Sequence, residues 1–369
     1  MSGIARIYMF ELYIIVLIAA VLMSLPLASA RLAYAYDPEQ GCNYDALRGL
    51  STSSRTVVYI GFGLLFVMLV LMCINKSEMI ADYGAYLRTY EMGASRFNRR
   101  GVEPTYGIIT MISPTFRTLL LIYALMSVSL HLFSITKNAS NLWLSLVVYL
   151  TMDYVLHDMI QIRAAVATGL LLLSIRFISE RKWWIYFPLV VVATFFHYSA
   201  VVFLPLYFLP TKNMLRPFWI GVLIVGMIMG FTHTYIGSFF KGIPVEFINK
   251  FFQDYMGNKD FTPSDIGLKR IYMCLLLIVM TVRIDAIKEH YPLAVPSLCV
   301  SILSQMSFLT FGDIPVMQGR MGELFGLADI YTLSMFPMAW RKQYYLMFIP
   351  VLIAAAFNLE MVHYLLTSV

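Results

Sequence analysis

The chain predicts an all-α, polytopic membrane bundle of about twelve transmembrane helices, and three observations predict it. Of its 369 residues, 60% are hydrophobic and only 13% are charged. Mean hydropathy is +0.74. The apolar residues come in long runs, not in short alternating strands. A soluble globule of this length needs more polar surface than that. Segments of about 20 apolar residues cross the hydrocarbon core as helices, which satisfy their own backbone hydrogen bonds.

In chain order the expected spans are Tyr8 to Ser29, Thr56 to Ile74, Thr118 to Ile135, Leu142 to Leu156, Ile160 to Phe177 and Trp183 to Phe196. They continue with Val201 to Leu209, Phe218 to His233, Ile271 to Val282, Leu293 to Phe311, Val316 to Met338 and Tyr344 to Leu365. Together they make one transmembrane domain, residues 1–369, with a long outer-face loop at 75–117 and a second at 234–270. The Val201 to Leu209 run is short and ends at Pro210, which suits a broken or re-entrant helix buried by protein. Ala28-Ser29-Ala30 resembles a signal-peptide cleavage site. The long apolar stretch before it and the sparse positive charge, Arg6 alone, favour an uncleaved first helix.

Basic residues in short loops set the orientation. Lys137, Arg176, Arg181, Lys182, Lys212, Arg216, Arg283, Lys288, Arg341 and Lys342 fall in alternate connections, which are therefore cytoplasmic. Both termini and both long loops then lie outside. The net charge of +6 includes no basic block of the kind nucleic acid demands. Arg88, Arg96, Arg99, Arg100 and Arg117 outnumber the acids of the first outer loop, which suits either an anionic substrate or anchoring in lipid headgroups. Cys73, Cys274 and Cys299 lie in apolar spans and Cys42 in a cytoplasmic loop, so neither a disulfide framework nor a metal site is indicated.

Polar marks inside the apolar runs point to function, because an ionised side chain at the bilayer centre costs roughly 2.5 to 3.5 kcal/mol on insertion scales. They are Gln161-Ile162-Arg163, His197-Tyr198-Ser199, and Arg320 with Glu323. Arg163 is either paired with Asp158 or held free for a ligand; residues five apart face each other poorly on a helix. Arg320 either pairs with Glu323 at i+3 or binds a ligand. His197 is either a hydrogen-bonded core residue or a catalyst. In the outer loop, Asp82, Tyr86 and Tyr90 share a spacing of four, as on a short helix in the membrane plane, with Asp82 and Tyr86 on one side. Glu103-Pro104 reads as a helix start at which Glu103 caps or binds. Phe247, Phe251, Phe252 and Tyr255 in the second loop bear no catalytic signature and leave a lid as one reading.

Taken in order, Ala81-Asp82-Tyr83-Gly84-Ala85-Tyr86, Glu103-Pro104, Ile162-Arg163-Ala164-Ala165-Val166-Ala167, Glu180-Arg181-Lys182 and Phe196-His197-Tyr198-Ser199-Ala200 resemble the EpsG branch of the Wzy-type polysaccharide polymerases. The resemblance is strongest over Tyr59 to Leu209. It departs at the aspartate motif, where the family commonly has Gly-Thr-Asp and this chain has Ile80-Ala81-Asp82. It implies a fold similar to the lipid-phosphate-dependent glycosyltransferases and O-antigen ligases. It also implies a polymerase of exopolysaccharide or O-antigen repeat units at the outer face of a bacterial inner membrane. Donor and acceptor would be undecaprenyl-diphosphate-linked oligosaccharides, and a chain-length regulator protein is a further expected partner.

Guanidinium groups suit that chemistry, since they stabilise the charge growing on a diphosphate leaving group. Arg163 and Arg320 are the candidates for this, with Gln161, Tyr86, Arg88, Glu103, Ser199 and Glu323 as further substrate contacts. His197 is the candidate base and Asp82 its rival. No cofactor is expected, and the transfer is expected to be metal-independent and inverting. A lipid-linked oligosaccharide flippase and a polysaccharide-modifying membrane acyltransferase are the alternatives. A flippase should carry cations through the depth of the bundle, and an acyltransferase should depend on an acyl donor.

Overall fold

The computed structural model describes residues 10–18, 52–76, 78, 80–93, 103–236, 266–340 and 343–367. Among them the regular structure is entirely helical. Helix α1 covers residues 10–18 and α2 is Thr52–Ile74. Short helices α3, Tyr83–Glu91, and α4, Pro104–Ile112, come from the first long loop, and α5 is Phe116–Asn138. Helix α6, Leu142–Val148, runs on as a π-helix, Tyr149–Ile160. Then come α7, Ile162–Ser179, α8, Trp183–Phe196, a 3₁₀ segment, Tyr198–Phe208, and α9, Arg216–Phe231. The last part of the chain holds α10, Leu268–Lys288, α11, Ala294–Thr310, α12, Pro315–Gly326, α13, Asp329–Met335, and α14, Phe348–Thr367.

Local chemistry sets several boundaries. Thr115 and Asn141 cap α5 and α6 by accepting from the amides of Thr118 and Leu144, and proline opens α4 and α12. Gln161 leaves helical geometry at φ −91°, ψ 61°, and separates the π-helix from α7.

Among the described residues three helices are long and apolar enough to cross a membrane: Phe116–Asn138, Ile162–Ser179 and Phe348–Thr367. Val58–Ile74, Trp183–Phe196, Tyr198–Phe208, Arg216–Phe231 and Ala294–Thr310 are apolar but shorter. The protein is a helical membrane protein. The twelve expected spans do not all become single helices. Val201 to Leu209, expected as a broken or re-entrant helix, is wound as 3₁₀ over Tyr198–Phe208 with Pro205 inside it. Val316 to Met338 is split into α12, α13 and a 3₁₀ turn, Phe336–Ala339, so Gly326 and Pro337 outweigh its hydropathy. Cys42, Arg96, Arg99, Arg100, Arg341, Lys342 and the aromatic residues 247–255 lie outside the described residues.

Large apolar side chains such as Tyr59, Ile60, Leu64, Ile108, Ile224 and Ile228 are exposed, as a lipid-facing surface requires. Trp183 and Trp184 are exposed beside the Glu180-Arg181-Lys182 turn, the position of an interfacial aromatic belt. Inside, α5 packs on α7 through small and polar residues. Ser134 donates to the Gly169 carbonyl at 3.4 Å, and Thr168 lies against His131. Lys76 Nζ donates to the Met159 carbonyl at 2.5 Å and Arg117 to Asn75, which holds the first loop onto the end of the π-helix.

A Cβ at Gly169 would come within 2.7 Å of Leu130 Cβ, an atom that moves only with its helix. Gly169→Ala is expected to cost about 1–3 kcal/mol by thermal unfolding in detergent. Gly221→Ala, where a Cβ meets nothing within 4 Å, should be neutral or slightly stabilising.

Candidate functional site

Glu103 stands at the N-cap of α4 with an extended backbone, and Pro104 follows it. Its carboxylate does not cap the helix; the structure records no side-chain cap hydrogen bond there. It turns away instead. Glu103 Oε2 pairs with Arg163 Nη1 and Oε1 lies 3.3 Å from His197 Nδ1. One carboxylate thus joins the start of α4, the first turn of α7 and the residue that ends α8. Thr105 fastens the same corner by donating to the Phe195 carbonyl at 2.7 Å.

Arg163 is therefore neither paired with Asp158 nor free, as the two sequence readings supposed. Its partner comes from sixty residues upstream. Two aromatic faces lie beside it, with the guanidinium carbon 5.2 Å from the Tyr86 ring centre and 5.6 Å from that of Tyr106. Tyr106 donates to the Tyr86 carbonyl at 2.8 Å. The Arg163 side chain keeps 28% exposure and its Nε has no hydrogen-bond partner, while Glu103 is almost fully covered. Burial alone would raise the Glu103 carboxyl, but the hydrogen bond from His197 and the charge of Arg163 hold it below the usual carboxylate range.

The other expected site residues divide. Gln161 donates to Glu323 Oε2 at 3.2 Å, which brings α7 and α12 together two residues before Arg163. Among the described residues no ion pair joins Arg320 to Glu323, and Arg320 is exposed. Asp82 and Tyr86 do not share a side: Asp82 precedes α3 with φ +67° and is exposed, whereas Tyr86 is buried under Arg163. Arg88 is exposed on α3, and Ser199 is half-buried in the 3₁₀ segment.

A second polar region was not anticipated. A cavity of about 90 Å³ is lined by Asp153, His157, Lys269, Arg270, Glu323 and Asp329, among others. Arg270 donates to Gln305 Oε1 at 3.3 Å and lies against the Phe308 ring. The adjacent cations Lys269 and Arg270 at the head of an apolar helix were the available signal. Placing the span start at Ile271 put them in a loop.

The Glu103 cluster fits charge handling: a buried carboxylate, a partly exposed guanidinium and an imidazole, at helix ends. No metal or cofactor is implied by these three residues.

Glu103 has a folded pKa below its ordinary 4.5. Its pairing therefore stabilises the protein fully above that value and is lost as pH falls through the folded pKa. The melting temperature of the wild type should drop on acidification below pH 4.5 more than that of Glu103→Gln; parallel curves would contradict the pairing.

A family model described as the EpsG family matches residues 58–365. No curated protein and no solved structure matches the chain.

Proposed function

Because the chain belongs to the EpsG family, we propose that it is a polysaccharide polymerase that joins lipid-linked oligosaccharide repeat units by glycosyl transfer. The observation that supports a reaction centre is the shared carboxylate of Glu103, which holds Arg163 and His197 in one place. The donor is a glycan on undecaprenyl diphosphate, and the acceptor is a sugar hydroxyl of a second lipid-linked unit. The reaction takes place at the outer face of a bacterial inner membrane, in a bundle related to the lipid-phosphate-dependent glycosyltransferases.

His197 acts as the base. Glu103 accepts from its Nδ1–H, which fixes the tautomer and leaves Nε2 as the acceptor of the hydroxyl proton. The freed acceptor oxygen attacks the anomeric carbon from the face opposite the diphosphate. The bond from that carbon to the diphosphate oxygen breaks, and the electron pair leaves with the lipid diphosphate. A single displacement of this kind inverts the anomeric centre. Arg163 supplies N–H groups to the departing oxygens. Its charge is already offset by Glu103, so Arg320 adds the further positive charge the leaving group requires. Gln161 and Glu323 set the spacing between α7 and α12, and Tyr86 supports the guanidinium from below. Arg88 and Ser199 border the glycan path. A diphosphate leaves readily without a metal, so the transfer itself is metal-independent. Asp82 is the rival base.

Purified protein given defined lipid-linked repeat units should build a ladder of products. Arg163→Ala should cut chain extension by about 10²–10³-fold while leaving single units, and Arg163→Lys should recover little because an ammonium lacks the planar fork. His197→Gln should retain substrate binding and lose about 10²–10⁴-fold in turnover. Normal ladders from Arg163→Ala at equal protein level would overturn the assignment, and unchanged turnover in His197→Gln would move the base to Asp82.

A further inference from the structure

The π-helix places a second set of ionisable groups where an α-helix could not. Its i→i+5 winding stacks residues five apart, so Asp153 and Asp158 come to one face of Tyr149–Ile160. Both face His131 of α5, and all three residues are buried. One potential ligand atom from each lies within 4.8 Å of the other two.

Each carboxylate is held by one oxygen. His157 Nδ1 lies 2.8 Å from Asp153 Oδ1, and Tyr149 donates to Asp158 Oδ2 at 3.1 Å. The remaining oxygens, Asp153 Oδ2 and Asp158 Oδ1, have no hydrogen-bond partner and are turned to His131. They lie 3.2 Å from its Nε2 and 3.5 Å from its Nδ1 respectively.

Both His131 nitrogens face oxygen atoms. The Ser127 carbonyl, 3.0 Å from Nδ1, can only accept, so Nδ1 carries a proton. The Thr168 hydroxyl, 3.3 Å from Nε2, donates to the Ala165 carbonyl at 2.9 Å and so offers Nε2 a further acceptor beside Asp153 Oδ2. Two buried carboxylates against one imidazole therefore require positive charge at Nε2, from a proton or from a metal ion bound in its place. A backbone carbonyl on Nδ1 and donors on the far carboxylate oxygens are the supporting contacts that metal ligands ordinarily have.

We propose that His131, Asp153 and Asp158 bind one divalent transition-metal ion, which ties α5 to the π-helix inside the bundle. One imidazole and two carboxylates suit zinc, manganese or ferrous iron, and two carboxylates balance the charge of a divalent ion. Ligand bonds near 2.1 Å require the three side chains to close in by about 1 Å. Asp153 and His157 border the cavity beneath Glu323, which gives the ion a route in and room for a water as fourth ligand. The ion is structural and remote from the Glu103 centre in bonding, so it neither depends on the polymerase assignment nor contradicts a metal-independent transfer.

The test is metal content of the full-length protein, purified in detergent on a tag without histidines from cells grown with zinc, manganese and iron. Elemental analysis should find about one divalent ion per chain. Asp153→Asn and Asp158→Asn should each lower that at least tenfold. Wild type grown with cobalt should show visible d–d absorption, and X-ray absorption should report nitrogen and oxygen ligands without sulfur; this arm stands even where a variant fails to fold. Wild type holding less than a tenth of an equivalent under every metal would overturn the site. Metal retained in full by both variants would mean an adventitious ion only, and would overturn it equally.

Discussion

The structure depends on one carboxylate placed between two nitrogen bases. An arginine at the head of α7 is costly to bury unpaired, and the Glu103 carboxylate neutralises it. Pairing has a second effect. The same carboxylate holds the His197 side chain, whose backbone amide and carbonyl are already bonded to Ala193 and Ala200. A structural neutralisation and a chemical orientation are thus one contact. The local charge is correspondingly low, so an anionic substrate must find further cations nearby. Lys269 and Arg270 on α10 line the cavity that Glu323 borders, and Arg320 lies on the same helix as Glu323.

The two polar regions are physically continuous. Arg163 is two residues from Gln161, Gln161 bonds Glu323, and Glu323 shares a cavity with Asp153 and His157. The backbone changes from π to α winding at Gln161, the residue that makes this bond.

Much of this was legible in the sequence, for identifiable reasons. Hydropathy revealed the class and most helix positions because lipid imposes the pattern on every span. Arg163 and His197 stood out because polar groups inside apolar sequence are costly, and Glu103 because it precedes Pro104 at a helix start. Their mutual contact was not legible, since Glu103 and Arg163 are sixty residues apart and only the fold brings them together. Asp82 misled through its spacing of four from Tyr86: a left-handed residue ahead of α3 takes its side chain off the helical face. Asp153 and Asp158 were hidden by the opposite effect. Five-residue spacing marks separate faces in an α-helix, and nothing in hydropathy announces π winding. Splitting Val316 to Met338 required weighing Gly326 and Pro337 against a strongly apolar composition.

A double-mutant cycle on chain extension tests the shared carboxylate most directly, using Glu103→Gln, His197→Gln and the combination with the same defined lipid-linked substrate. If Glu103 works through His197, the combined variant should lose far less than the product of the two single losses, with only the Arg163 contact left for Glu103→Gln to remove. Losses that simply multiply would show two independent contributions and contradict the account.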